Sequence, residues 1–314
     1  MAEVPKIPSV SVVMSTYNRH SIITEAIDSI LNQTFTDFEF IIIDDRSTDD
    51  TWVSLQEIAK CDDRIIIARN DQNCGCNVSR NKAIDIAMGK YIAIVDDDDI
   101  SKPERLKLQL NHLEDNPSTA VVGSQIQTFS EKNTRSTIYP SSFLIKKLPS
   151  APDLLFEDVF LGKYVLPNPT LMFRADVLKR FKYPKVRYNG ADVTLALQLA
   201  ASGFKLDLIA QPLVLMRHGD GHNQMTSNIY KVMLGRRRRI RDILIWLDDC
   251  DLDGFRNLYP QALLNVKVKY LIELASRKSG IQRWHQMINA FYLNPVYVVF
   301  FLLATLSRRL EFKS

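Results

Sequence analysis

A short apolar run, Tyr91-Ile-Ala-Ile-Val95, breaks into four consecutive aspartates, Asp96 to Asp99, and this junction constrains the fold more than any other stretch. Five apolar residues suit a strand buried on both faces, as in a parallel sheet covered by helices. Such a strand cannot run on into carboxylates. Asp96 to Asp99 must therefore sit where it leaves the sheet, at the carboxyl edge where open α/β sheets bind ligands. Four adjacent like charges repel one another, so they need water, hydrogen bonds or a cation beside them. Hard carboxylate oxygens suit Mg²⁺ or Mn²⁺. Taken alone, the same residues also fit a solvated acidic turn ahead of a helix with Pro103 near its first turn.

The chain before this point repeats one pattern. Val10 to Met14 is β-branched and apolar and gives way to Ser15-Thr16-Tyr17-Asn18. Ile23, Ala26, Ile27, Ile30 and Leu31 then have the three-and-four spacing of an amphipathic helix, with Ser21 as its expected cap. A second strand, Phe38 to Ile43, ends in Asp44-Asp45-Arg46-Ser47. After a helix from Asp50 to Lys60, a third strand, Arg64 to Ala68, ends in Asn70-Asp71, and a helix capped by Asn77 or Ser79 leads to the fourth. This alternation predicts a mostly parallel, doubly wound α/β sheet with right-handed crossovers. Parallel strands bring their polar ends to one edge, so four segments converge on one site. Neither G-x-G-x-x-G nor G-x-x-x-x-G-K-[ST] occurs, so phosphate must be neutralised by other means. A cation at the acidic turn and Arg80 are the candidates, although Arg80 alone also reads as a helix-surface arginine.

Beyond Pro103, Leu106, Leu110 and Leu113 mark another amphipathic helix, Ala120 to Gly123 is apolar, and residues 130–150 read as a polar loop. Asp192 opens a helix carrying Leu195, Leu199 and Ala200, where an aspartate is ordinarily a cap. Arg217 to Gln224 is a glycine-loosened loop with His218 and His222. The 314 residues are 46% apolar, enough for a substantial core. Cys61, Cys74, Cys76 and Cys250 have neither zinc-finger spacing nor disulfide-scaffold density, which points to a reducing compartment. Met1 to Ser9 lacks a signal-peptide pattern, so a cytoplasmic location is expected. The net charge of +4 is unevenly placed, with Arg236 to Arg239 and Arg241 in one run. With Ile240, Ile243, Leu244 and Leu247 that run forms a basic amphipathic helix by spacing. Phe291 to Leu306 is nearly all apolar but is interrupted by Asn294-Pro295, and a bilayer crossing needs about twenty residues. The expectation is a helix lying at the cytoplasmic face of an anionic inner membrane, against a domain-capping helix pair or a dimer interface.

Five stretches, Ser11 to Asn18, Ile43 to Thr51, Asn77 to Ala83, Gly89 to Pro103 and Ala191-Asp192, resemble in order the motifs of family 2 glycosyltransferases with the GT-A fold. The resemblance covers roughly Pro8 to Ser227 and implies a catalytic domain over 1–227, with a nucleotide-binding half to about 124 and an acceptor half after it. Residues 228–314 are then a helical, basic and apolar extension. Thr16 and Tyr17 match the positions flanking uracil and ribose, next to Asn18, and Asp45 matches the carboxylate that accepts a hydrogen bond from the base. Asp96-x-Asp98 matches the D-x-D element, in which Asp98 binds the metal and Asp96 or Asp97 faces the ribose. Asp192 matches the general base of the family's E-D motif, in which Ala191 here replaces the usual Glu. His222 stands where some members place a histidine near the metal.

The implied reaction is inverting transfer of a sugar from a nucleotide donor, expected to be a UDP-sugar, to a hydroxyl of a glycan in cell-surface polysaccharide synthesis, with Mn²⁺ or Mg²⁺ as cofactor and no nucleic-acid partner, and the C-terminal extension points to a lipid-linked acceptor. The alternatives are a nucleotidyltransferase and a nucleotide-sugar-binding protein of the same fold without turnover.

Overall fold

The computed structural model describes residues 7–129, 136–139, 166–185, 191–217, 260–261, 264–265, 268, 271, 280–294 and 298. The chain divides into two compact units, one of residues 1–139, 166–185 and 204–220 and one of residues 140–165, 186–203 and 221–314.

The first unit is built on one sheet. Its elements are β1 (Val10–Thr16), α1 (Ile23–Leu31), β2 (Phe38–Asp44), α2 (Thr51–Ala59), β3 (Ile65–Arg69), α3 (Cys76–Ile86), β4 (Tyr91–Val95), β5 (Ile100–Ser101), α4 (Arg105–Asp115), β6 (Thr119–Phe129), β7 (Ile138–Tyr139), β8 (Met172–Arg174), α5 (Ala175–Phe181) and β9 (Lys205–Arg217). The order β3-β2-β1-β4 is parallel throughout, with Val10 opposite both Phe38 and Tyr91. Every residue of β1, β2 and β4 is buried, which is why these strands read as continuous apolar runs. Val12, Met14, Phe40, Ile42 and Ala93 pack against Ile23, Ile27 and Ile30 of α1 and Leu106 and Leu113 of α4 in one apolar core.

Past β4 the sheet changes character. β8 runs antiparallel to β4 and to β6, β6 pairs parallel with β9, and β5 returns antiparallel on β9. Six strands therefore point the same way and three, β5, β7 and β8, run against them, a mostly parallel sheet in the GT-A, Rossmann-like arrangement that the resemblance implies.

Two expected caps are replaced. α1 begins after Ile22 without a side-chain cap, and α3 begins after Gly75, whose φ of 91° suits glycine. Asn77 and Ser79 consequently lie inside α3 and are buried. Gly89 is required for another reason: a Cβ there would stand 2.6 Å from the Ser11 nitrogen and 2.7 Å from the Val10 carbonyl carbon, both backbone atoms that cannot yield.

In the second unit, α6 (Ala191–Ala201) is buried along most of its length, including Ala191, Leu195 and Leu199. In α7 (Gly280–Leu293), Ala290 packs with Val268 and Val298, flanked by Leu271, Met287 and Leu293. Among the described residues no helix is long and apolar enough to cross a membrane.

Candidate active site

Because β1, β2, β3 and β4 are parallel, their last residues stand along one edge: Thr16, Asp44-Asp45, Asn70 and Asp96 to Asp99. β5 carries the chain away immediately after Asp99, and α4 follows. The turn is thus held between the end of one strand and the start of another.

Three arginines meet the four carboxylates of the turn, Arg19 reaching two of them. Asp96 Oδ1 accepts a 2.9 Å bond from Arg80 Nη2. Arg80 is buried and lies over the Tyr183 ring, 5.0 Å from its centroid. Arg19 Nε reaches Asp97 Oδ1 at 3.2 Å, and its Nη2 stands 3.8 Å from Asp98 Oδ2. Asp99 Oδ1 accepts the Arg217 backbone N–H at 3.1 Å, while Arg217 Nε donates to the Asp98 carbonyl oxygen at 3.3 Å. Arg105 lies fully buried in α4, where its guanidinium donates to Ser101 Oγ, Gln109 Oε1 and the carbonyl oxygen of Ile94 in β4.

These cations do not fully offset the four acids. Burial, then the charges of Asp97 and Asp96, push the Asp98 carboxyl up to about 7. Burial also raises Asp97, with Arg19 and the Thr16 hydroxyl opposing, and raises Asp99 well above the ordinary range, helped by Asp96 and Asp98. Arg105 moves the other way, pushed down to about 10 by burial while Asp96 and Asp99 favour its charge. A compact set of hard oxygen donors short of positive charge fits a divalent cation such as Mg²⁺ or Mn²⁺. Among the described residues no three His, Cys, Asp or Glu side chains are arranged to hold a metal ion by themselves.

The electrostatics give the sign of a pH effect. Below about pH 7 the Asp98 carboxyl holds a proton that a cation must displace. Mn²⁺ affinity, followed by paramagnetic resonance, is expected to rise about tenfold per pH unit from pH 5 to pH 7 and to level off above it. A flat profile would mean that Asp98 is not the group displaced.

The loops beside the turn are stitched together by side chains. Asn18 adopts a φ of 55°, donates its N–H to Ser47 Oγ at 2.9 Å and exchanges side-chain bonds with Thr48. Asp45 is buried and accepts three bonds: Oδ1 from Asn70 Nδ2 and the Cys74 N–H, and Oδ2 from the Gly75 N–H at 2.7 Å. A carboxylate offers about four lone-pair directions, so Asp45 clamps the β3–α3 loop and keeps one acceptor position on Oδ2. Tyr17 is 41% exposed at the mouth of this edge.

The structure therefore brings Thr16, Tyr17, Asn18, Asp45, Arg80, Asp96, Asp97 and Asp98 to one edge of the first unit. Asp192 lies in the first turn of α6 in the second unit. His222 falls outside the described residues. Three arginines at the turn were not singled out in advance. Arg19 follows Asn18 directly, and Arg105 with Gln109 places two polar residues four apart in α4, a spacing that lets their side chains meet but carries no sign of their burial. Arg217 carried no signal.

A doubly wound sheet with an acidic turn at its carboxyl edge fits the GT-A glycosyltransferase fold that the sequence motifs resemble. The sequence pattern of Glycosyl transferase family 2 matches residues 11–180, and the chain belongs to that family. It is 33% identical over 222 residues to an uncharacterized glycosyltransferase of Methanocaldococcus jannaschii, covering 70% of this chain and 74% of that one. It is 30% identical over 196 residues to the UDP-Glc:alpha-D-GlcNAc-diphosphoundecaprenol beta-1,3-glucosyltransferase of Escherichia coli, covering 62% of this chain and 72% of that one. The fold is similar to that of a mannosyltransferase from Pyrobaculum calidifontis in complex with GDP-Man and Mn²⁺, with a TM-score of 0.57 at 16% identity over 98% of this chain and 88% of that one.

Proposed function

We propose that this glycosyltransferase moves a sugar from UDP to a hydroxyl of a lipid-linked glycan, with inversion and with a divalent cation, in the synthesis of a surface polysaccharide. The observation that carries the reading is the acidic turn, where burial and the neighbouring Asp97 and Asp96 charges push the Asp98 carboxyl up to about 7 at the edge that also presents Thr16, Tyr17 and Asp45. The Escherichia coli relative, named for a UDP-Glc donor and a diphosphoundecaprenol acceptor, supports the choice of donor and acceptor. The Mn²⁺ in the Pyrobaculum structure supports the cation.

In this reading Tyr17 and Thr16 flank the base and ribose, and Asn18 holds their loop to β2's. The free acceptor position of Asp45 receives the base imide, and Arg80, already paired with Asp96, adds positive charge at the phosphates. Asp98 would hold the cation, with His222 as a further ligand, and a cation there would supply positive charge for the departing diphosphate. Asp192 takes the proton of the acceptor hydroxyl. The acceptor oxygen bonds to the anomeric carbon from the face opposite the diphosphate as the old C–O bond breaks, so configuration inverts. Incubating the protein with an undecaprenyl-diphosphate-linked acceptor, Mn²⁺ and a panel of UDP-sugars plus GDP-mannose tests this. A mass increase of one sugar with UDP donors is expected. Transfer only from GDP-mannose would move the donor assignment, and nucleotide binding without product would favour the binding-protein alternative.

Asp45→Asn turns an amide N–H₂ toward donors that now meet a carboxylate. UDP affinity by calorimetry is expected to fall by about 1–3 kcal/mol, and the Cys74 and Gly75 amides to exchange faster with solvent. Unchanged affinity with faster exchange would leave Asp45 a loop clamp alone.

Peripheral attachment to an anionic membrane surface belongs to the same reading. Lys and Arg outnumber Asp and Glu by about two to one in residues 228–314, and the 236–239 arginine run is the expected contact. Replacing those four arginines by Glu should abolish sedimentation with phosphatidylglycerol vesicles. A full-length protein that never sediments with them would end this part of the proposal.

A further inference from the structure

Arg19 is the least committed of the cations around the acidic turn. Arg105 is enclosed by three acceptors, Arg80 combines a 2.9 Å bond to Asp96 with the Tyr183 ring, and Arg217 holds Glu25 and the Asp98 carbonyl oxygen. Arg19 instead spans two carboxylates loosely, with one contact of 3.2 Å and one of 3.8 Å, rather than the paired short bonds of an arginine fork on one carboxylate. Its backbone, by contrast, is fixed. The Arg19 N–H donates to Thr51 Oγ1 at 2.8 Å, its carbonyl oxygen accepts from the N–H groups of Ile22 and Ile23, and Asn18 before it is tied to Ser47 and Thr48. Only the side chain is at liberty to move.

We infer that Arg19 is an exchangeable counter-ion: it sits on the Asp97 and Asp98 carboxylates until a divalent cation binds at Asp98, and its guanidinium then passes to the diphosphate of the nucleotide donor. The inference rests on the proposed role of Asp98 as a cation ligand. A divalent cation at Asp98 repels a guanidinium that stands 3.8 Å from the same carboxylate, so binding of the cation favours release of the guanidinium. The displaced group has a pinned root, a long flexible stem, and a doubly anionic partner arriving beside the cation. A planar guanidinium matches phosphate oxygens with two parallel hydrogen bonds, a geometry it does not reach with Asp97 and Asp98. No covalent change is involved.

The exchange predicts effects of opposite sign from one substitution. In the full-length protein, Arg19→Met keeps the stem and removes the competitor. Mn²⁺ alone, titrated by paramagnetic resonance, should bind about 3- to 10-fold more tightly, while UDP at saturating Mn²⁺ should bind about 10-fold more weakly. Arg19→Lys, which keeps the charge and loses the fork, should recover part of the UDP affinity. A purely structural arginine would weaken both ligands together. Mn²⁺ affinity unchanged or lowered in Arg19→Met, or UDP affinity retained, would overturn the inference. Asp98→Asn run in parallel separates the layers. If it loses Mn²⁺ while Arg19→Met behaves like the parent, only the exchange fails, and if it keeps Mn²⁺ the cation-site reading and the exchange fall together.

Discussion

Asp98→Asn is expected to lower Mn²⁺-supported turnover more than about 100-fold and to leave UDP binding no tighter with Mn²⁺ than without it. A substitution beside a metal ligand typically costs about 10–100-fold in metal affinity, so removing the charge of the ligand itself should cost more. The same change should make the metal-free protein more stable above neutral pH. Burial and the neighbouring acids raise the Asp98 carboxyl to about 7, above its ordinary value. For an acid with a raised folded-state pKa, the penalty is absent below the unfolded-state value near 4. It grows as pH rises through the interval and is fully present above about 7. Asn carries no such penalty, so the melting temperature of Asp98→Asn without metal should exceed the parent's at pH 8 and equal it near pH 4. A variant that loses activity and stability together would instead mean that Asp98 is part of the scaffold.

The divergence between stability and activity at one residue bears on what a sequence can reveal. Four strand ends were legible because each strand is a largely apolar run closed by a change to polar residues, a signal contained within ten residues, although only β1, β2 and β4 are buried throughout and β3 is largely half-buried. Parallel pairing then follows from the alternation with helices, and the shared edge follows from the pairing. The antiparallel insertion of β8 between β4 and β6 had no such signal. Met172 and Phe173, followed by Arg174, fit a strand of either direction, and the choice is made by partners far away in sequence.

The same limit applies to the site. That Asp96 to Asp99 lie at the edge is a local fact. That Asp45 holds Cys74 and Gly75, that Arg217 grips the turn at Asp98 and Asp99, and that Arg105 is buried beside Ile94 are facts about contacts between distant segments. Asn77 and Ser79 illustrate the error that follows. Both residue types favour a helix start, yet the positive φ that breaks the chain belongs to Gly75, and tertiary packing buries the two side chains inside α3. Propensity chose the right helix and the wrong end.

Asp192→Asn should differ from Asp98→Asn in kind. It is expected to bind UDP and Mn²⁺ as the parent does and to lose about 10²–10⁴ in kcat, the range for removal of a general base. Asn is nearly isosteric with Asp and remains an acceptable residue in the first turn of α6, where the N-terminal position favours a polar side chain that can accept hydrogen bonds. The fold of a helix with Ala191, Leu195 and Leu199 buried is therefore retained, and what is removed is the ability to take a proton from the acceptor hydroxyl. Single-turnover kinetics at saturating donor isolates that step from binding. Turnover falling with intact binding of UDP and Mn²⁺ assigns the proton transfer to Asp192. Near-parent turnover in Asp192→Asn would reduce the residue to a helix-terminal aspartate, stabilising α6 by the attraction of a carboxylate to the helix N-terminus and nothing more.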